Sequence, residues 1–224
     1  MHCYAAVDPS AIVEPGAVVF PGARVSAGCH VGACSVVGPG VVLGEGTRLG
    51  YGVSVSHARV GARCTLHHGV RLGADGFGFA VDPATGELTK KPQERGVLLG
   101  DGVELGANTC VDRGSWRDTH IGDNTKVDNL VQIGHNVVVG KRCLLCGHVA
   151  LGGSSTLGDG VIMGGKAATR DHVSVASGVR VAAKSGVTSN ITAPGDYAGF
   201  PAMPAALWRR QLAQLRRASR ATRD

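Results

Sequence analysis

A beat of six limits what this chain can fold into more than any other feature. From Val7 onward every sixth residue is aliphatic: Val7, Val13, Val19, Val25, Val31, Val37, Leu43, Leu49 and Val55. A helix buries one face with a period near 3.6, and a lone strand alternates with a period of two, so this beat belongs to neither. It fits a parallel β-helix whose coils are triangles with three short flat sides. Each hexad supplies one side and turns its aliphatic residue inward. Residues eighteen apart then stack one above the other, about 4.8 Å apart, the spacing of neighbouring strands. The beat slips by one residue after Val55 and resumes at Val60, Leu66 and Leu72. It returns at Leu99, Leu105 and Val111, then runs from Ile121 to Val187 with Thr169 as the exception. About ten coils are expected, a prism roughly 48 Å long.

Composition agrees where it bears on the fold. The chain of 224 residues holds 35 glycines, and Pro-Gly pairs such as Pro15-Gly16, Pro21-Gly22 and Pro39-Gly40 fall at corner positions. Such residues suit turns through a fixed φ or a permitted positive φ. Aromatics make up 4% of residues, too few for a nucleic-acid stacking platform, so nucleic acid is not an expected partner. No stretch of eighteen apolar residues occurs, and no transmembrane segment is expected. The opening MHCYAAVDPS lacks the basic and apolar regions of a signal peptide, which makes the cytoplasm the expected compartment. Cys29, Cys64 and Cys143 take the fifth place of their hexads, where Ala17, Ala23, Ser35 and Thr47 stand in others. They are expected to pack as small buried hydrophobes. Cys143 and Cys146 form a lone CxxC without a second pair, so no metal site is expected there.

Two segments leave the beat. Residues 76–96 hold no hexad and are expected to project as a loop. A long loop on a regular scaffold is usually functional or disordered, and Phe77 and Phe79 argue against disorder. The solenoid is expected over 1–200 and a helical extension over 201–224. Pro204 fits a first helical turn. Leu207, Leu212 and Leu215 fall on one side of that helix, while Arg209, Arg210, Arg216, Arg217 and Arg220 give it a basic surface. It is expected to cap the open coil end and to offer an acidic partner a docking site.

The stretch VDNLVQIGHNVVVG, Val127–Gly140, carries a candidate site. Stacking by eighteen sets Gly153 over His135. A histidine near neutral pKa can serve as a base, and a glycine leaves its backbone N–H open to close approach. Asp128 or Asn129 would orient the imidazole or bind the substrate that accepts the transferred group. His57, His67 and His68 are weaker candidates for such contacts. His172 lies about two coils above, roughly 10 Å along the axis. A zinc site built from His135, His148 and His172 would need the three to converge on one point, which their positions disfavour. A non-catalytic structural β-helix is the alternative of another class, and it leaves the DN and GHN groupings without a purpose.

Four stretches make a more specific resemblance: GADGFGFA from Gly73, VDRGS from Val111, VDNLVQIGHNVVVG from Val127 and PGDYAGFPAMPAALWRR from Pro194. Together, in this order, they resemble the UDP-3-O-acylglucosamine N-acyltransferases of lipid A biosynthesis. The resemblance runs from about Val7 to Arg217. It implies an all-β, left-handed parallel β-helix of hexapeptide repeats with a short C-terminal α-helix, working as a homotrimer. It implies transfer of a 3-hydroxyacyl group from acyl carrier protein to the amine of a nucleotide sugar, with no cofactor beyond the carrier's phosphopantetheine. Residue by residue, it makes His135 the catalytic base, Gly153 the oxyanion-hole glycine, His172 a second functional histidine, and Asp128 and Asn129 the DN that precedes the motif. In a trimer the Phe77–Phe79 loop would reach a neighbour, and the arginines of the C-terminal helix would meet the acidic carrier. Two positions depart from the family. Its members usually carry an N-terminal domain that grips uridine, which this chain, with its beat starting at Val7, is expected to lack. Ser189 stands where many relatives have Lys or Arg. A transferase using acetyl- or acyl-CoA on another nucleotide sugar is the alternative within the class.

Overall fold

The structure, a computed structural model, describes residues 4–199 and 201–221. It is a stack of coils with three parallel sheets. Two faces have nine strands each and the third has eleven, the last two of which belong to the C-terminal tail. Most strands are two residues long, such as Gln132–Ile133 and Ala150–Leu151. The second residue of each points inward, so the six-residue beat is the core itself. Leu43, Leu66, Leu105, Ile133, Leu145, Leu151 and Met163 are fully buried. The coil-to-coil register matches the arithmetic, with Ile133 paired to Leu151 and Leu145 to Met163.

The corners explain the rest of the composition. One residue per turn takes a left-handed φ, and besides glycines these include Asn136, His148, Ser154 and His172. The fifth-place residues sit inside the corners as expected. Cys29, Cys64 and Cys143 are buried and free, while Ser35 and Thr47 use their hydroxyls to bond backbone of the adjacent coil. Thr169 breaks the aliphatic beat because its hydroxyl accepts the Gly152 N–H at 3.0 Å.

The projecting segment is ordered as a β-hairpin, with Phe79–Val81 antiparallel to Leu88–Lys90. A bulge starts it. The strand Arg71–Asp75 runs beyond the usual two residues, and its register shifts between Leu72 and Ala74. Gly73 sits there at φ 88°, where a Cβ would collide with the Ser56 carbonyl. Lys90 Nζ lies 2.9 Å from Asp75 and ties the hairpin to the body. A second irregularity, the bend around Ser115–Arg117, lengthens one coil: Val111 pairs with Ile133, twenty-two residues on.

The C-terminal helix, Ala205–Ala221, meets the coil end only through its beginning. Ala205 is buried, and Trp208 lies against Gly199. Leu215, expected on the covered side, is 68% exposed, so within one chain the helix caps the end only in part. Its contacts end after the first turns because the tail strands Gly195–Ala198 and Met203–Pro204 already cover that end. Arg209, Arg210, Arg216 and Arg217 are all exposed. The side chain of Arg220 lies outside the described residues. No helix among the described residues is long and apolar enough to cross a membrane.

Candidate active site

His135 follows the strand Gln132–Ile133 at a corner of the prism, and Gly153 occupies the same place one coil on. They meet closely: a Cβ on Gly153 would stand 2.7 Å from His135 Nε2. On the other side Gly76, at the root of the hairpin, packs so tightly that its Cβ would lie 2.5 Å from His135 Cβ. The imidazole is thus held between two glycines from segments far apart in sequence.

The amide of Gly153 is open. At the same turn position on other coils a side chain of the next coil caps the N–H: Asn129 Oδ1 caps Ala107 at 2.6 Å, Asp159 Oδ1 caps Lys141 at 2.8 Å, and Ser177 Oγ caps Asp159 at 3.0 Å. Among the described residues no acceptor faces the Gly153 N–H. A partly exposed, unpaired donor beside an imidazole is suited to hold a developing oxyanion.

The ring is oriented by Asn136. This fully buried side chain accepts the Ser115 N–H at 2.8 Å and the Trp116 N–H at 3.3 Å on Oδ1. Those two donors fix the amide, and Nδ2 therefore donates to His135 Nδ1 at 2.8 Å. A nitrogen that accepts carries no proton, so the neutral ring keeps its proton on Nε2. Burial, then the electrostatic influence of His172 and Lys91, holds the His135 pKa below the ordinary histidine value, with Asp171 opposing. His135 therefore stays neutral through pH 7 and turns an N–H toward the cleft.

Two clefts meet at this ring. One, of about 570 Å³, is lined by Phe77, Phe79, Lys90, Asp112, Gln132, His135 and Gly153. The other, of about 500 Å³, is lined by Phe77, Phe79, Gln93, Trp116, Ser154 and His172 with the same pair. Phe77 and Phe79 stack edge to face between them, 5.0 Å apart. The His172 N–H bonds to the Gly153 carbonyl at 3.0 Å, so the second histidine flanks the site without touching the first.

Asp128 and Asn129 stand elsewhere. They occupy the previous corner, beside His67, His68, Glu104 and Cys146 in a separate groove of about 520 Å³. Asn129 Oδ1 is engaged with Ala107, and Asp128 Oδ1 with the Asn129 N–H at 2.7 Å. Within one chain neither orients the imidazole, because six residues carry the backbone along one full side of the triangle. His148 shares that corner, so the three histidines of the zinc reading do not converge.

Three residues near His135 are absent from the sequence reading: Asn136, Asp112 and Gln93. The first two lie in quoted stretches, GHN and VDRGS. Asp112 was out of reach of the arithmetic because its coil is longer than eighteen. Gln93 is buried at the hairpin's return, its Oε1 without a hydrogen-bond partner among the described residues.

The fold is a parallel β-helix built on hexapeptide repeats. Residues 118–153 match the family model described as bacterial transferase hexapeptide (six repeats). In shape the chain is similar to LpxA from Acinetobacter baumannii, with a TM-score of 0.68 and 22% identity over 88% of this chain and 72% of that one. It is equally similar to a UDP-N-acetylglucosamine acyltransferase from Campylobacter jejuni, with 0.68 and 20% over the same shares. These likenesses speak for the fold. In sequence it is 60% identical over 160 residues to the probable UDP-3-O-acylglucosamine N-acyltransferase 2, mitochondrial, of Arabidopsis thaliana, covering 71% of this chain and 52% of that protein. It is 44% identical over 164 residues to the UDP-3-O-acylglucosamine N-acyltransferase of Methylobacterium nodulans, covering 73% and 46%. Over the matched portion the chain is similar in sequence to proteins named UDP-3-O-acylglucosamine N-acyltransferases, and it spans about half the length of these curated relatives.

Proposed function

We propose that this chain transfers a 3-hydroxyacyl group from acyl carrier protein to the amine of a UDP-3-O-acylglucosamine-type sugar in lipid A biosynthesis. The observation that carries the reading is the meeting of the His135 ring with the open Gly153 N–H in a cleft flanked by aromatic side chains. A thioester carbonyl seated there would find two donors, His135 Nε2–H and Gly153 N–H, where negative charge develops. Phe77, Phe79 and Trp116 offer an acyl chain apolar surface, with Phe77 left 86% exposed.

The exposed arginines 209, 210, 216 and 217 supply the charge that an acidic carrier would seek, an attraction that salt would weaken. A homotrimer fits the same reading. It would cover the exposed hairpin and could bring the Asp128–Asn129 corner of one copy toward the cleft of another. Light scattering should then give three times the chain mass, and a monomer at micromolar concentration would contradict the assembly.

The test of the activity is mass spectrometry of products from UDP-3-O-acylglucosamine and a panel of donors, 3-hydroxyacyl carrier protein against acetyl-CoA. An amide product from the carrier protein alone supports the reading, while one from acetyl-CoA alone favours the alternative transferase. His135→Ala should lower turnover at least ~100-fold with the fold intact by circular dichroism. Near-normal turnover would remove His135 from the chemistry.

A further inference from the structure

An exposed aromatic pair lies at another corner, outside the cleft of His135. The beat slips by one residue after Val55, so Leu49 pairs with Leu66, seventeen residues on. The same slip sets Tyr51 against His68. Their rings stack 4.8 Å apart at 30°, and the Tyr51 N–H donates to His68 Nδ1 at 2.9 Å. Gly50 makes the room, since a Cβ there would stand 2.9 Å from that nitrogen. A nitrogen that accepts carries no proton, so the neutral His68 ring has its N–H at Nε2. No described residue accepts from it. Tyr51 is 58% exposed, and the turn itself needs no ring, because Pro15, Ala33 and Ala107 hold the same position on other coils.

We propose that this corner is a subsite for a nucleoside diphosphate, with the base stacked on Tyr51 and the phosphates paired with Arg48. The choice of ligand rests on the nucleotide-sugar acceptor of the reading above. Arg48, Tyr51, His67 and His68 line one groove of about 180 Å³ with Glu14 and His30. The acids of this region are engaged. Glu14 lies 2.6 Å from His30 Nε2 and accepts the Ala33 N–H at 3.0 Å, and Glu104, one coil above, lies 2.9 Å from His67 Nε2. Arg48 differs: among the described residues its side chain makes no hydrogen bond or ion pair. The groove therefore offers an exposed ring, a ring N–H and an unpaired guanidinium. A planar base, a carbonyl on its edge and an anionic tail match these three.

The place of the groove suits an extended ligand. His67 and His68 also wall the larger groove that holds Asp128 and Asn129. Leu66 pairs with Leu105 and Leu105 with Val127, so Tyr51 lies three coils below that corner, roughly 14 Å along the axis. A base seated on Tyr51 directs the rest of the ligand up this trough, toward the corner that the trimer proposed above would turn to a neighbour's His135. A nucleotide-sugar acceptor and a coenzyme A donor both carry a nucleoside diphosphate; the acceptor is the source expected here.

The experiment measures the binding of UDP, uridine and coenzyme A by calorimetry to wild type, Tyr51→Ala, Tyr51→Phe and Arg48→Gln. Thermal melts and light scattering verify fold and assembly. The KM for UDP-3-O-acylglucosamine and for 3-hydroxyacyl carrier protein is measured on the same four chains. Tyr51→Ala should raise the Kd for UDP ~10-fold or more, the scale of one base–aromatic stack. The acceptor KM should rise with it and the donor KM should not. Tyr51→Phe, which keeps the ring, should bind like wild type. Arg48→Gln should weaken UDP several-fold and leave uridine unchanged, since uridine lacks the phosphates. Binding of coenzyme A in place of UDP, weakened by the same changes, would support the subsite and give it to the donor. Unchanged binding in Tyr51→Ala, or no binding of either nucleotide to a wild type that still forms amide, would overturn the subsite and leave the acyl-transfer reading standing. A Tyr51→Ala chain that loses its assembly together with its binding would overturn it as well, making the ring a contact between copies. A wild type that binds UDP through Tyr51 yet forms no amide would remove the acyl-transfer reading and keep the subsite.

Discussion

Gly153 concentrates the chemistry of the site in one missing carbon. Its φ is ordinary, since it is absent from the left-handed positions, so the need for glycine comes from space alone. Gly153→Ala would put a methyl 2.7 Å from His135 Nε2 and must push the ring off Asn136. We expect a loss of turnover of ~100-fold or more, the scale of a spoiled oxyanion donor, with little change in melting temperature. A loss below about threefold would mean that ring and amide do not act together. Asp112 makes a prediction of opposite kind, on stability. Its folded pKa is raised from 3.8 to about 6, so the folded chain holds more protons than the unfolded one between those values. The resulting stabilisation is complete below pH 3.8 and gone above about pH 6. Asp112→Asn keeps an acceptor for Gln132 and cannot ionise. It should therefore melt higher than wild type at pH 7.5 and lose that advantage as the pH falls to 4. Discounted for the solvent on its open side, the gain is on the order of 1 kcal/mol, roughly 2–4 °C. A gain independent of pH would show that the raised carboxyl is not its source.

At the scale of elements, what could be read from sequence follows from how regular each element is. The inward residues, the corner cysteines and the stacking of Gly153 over His135 all come from one fixed repeat, and each stands where the beat puts it. Legibility fails where the repeat does. The longer coil hid Asp112 from arithmetic, and the hairpin that sets Gly76 and Gln93 around the cleft has no beat at all. Asp128 and Asn129 looked close to His135 because they are near in sequence, yet a triangle's side separates them. Asn136 was within reach, being next to the histidine, but only the bend at Ser115–Trp116 shows what fixes its amide. The hairpin also has a prediction of its own. Phe77 is almost wholly exposed and is anchored chiefly by its contact with Phe79, so Phe77→Ala should leave the melting temperature within about 1 °C while weakening the use of long-chain donors. A KM rise that grows with acyl length, measured on a donor series, would support this part of the site. An equal effect on all donors would assign Phe77 to something other than the chain.

For the molecule as a whole, the energetics are those of a stack. Each coil rests on its two neighbours, so stability is close to a sum of coil and interface contributions, and a coil with one neighbour is the weakest. The first coil shows this directly: its inward residues Val7 and Val13 are 41% and 40% exposed, whereas Ile133 in the middle is fully buried. Removing Leu145, fully enclosed between Val127 and Met163, should cost about 2–5 kcal/mol as Leu145→Ala, the usual range for a filled core. Val13→Ala should cost less than about 1 kcal/mol, because much of that side chain is already in water. The two should differ in reach as well as in size. Since coupling passes from coil to coil, Leu145→Ala should speed amide exchange most in the coils holding Val127, Leu145 and Met163, with the effect fading toward the ends. The amides of residues 6–19 should exchange fastest in the wild type and change least in this variant. Hydrogen-exchange mass spectrometry resolves segments of that size. Uniform acceleration along the whole chain would mean that the prism opens as one cooperative block and that the beat of six sets its shape without dividing its stability.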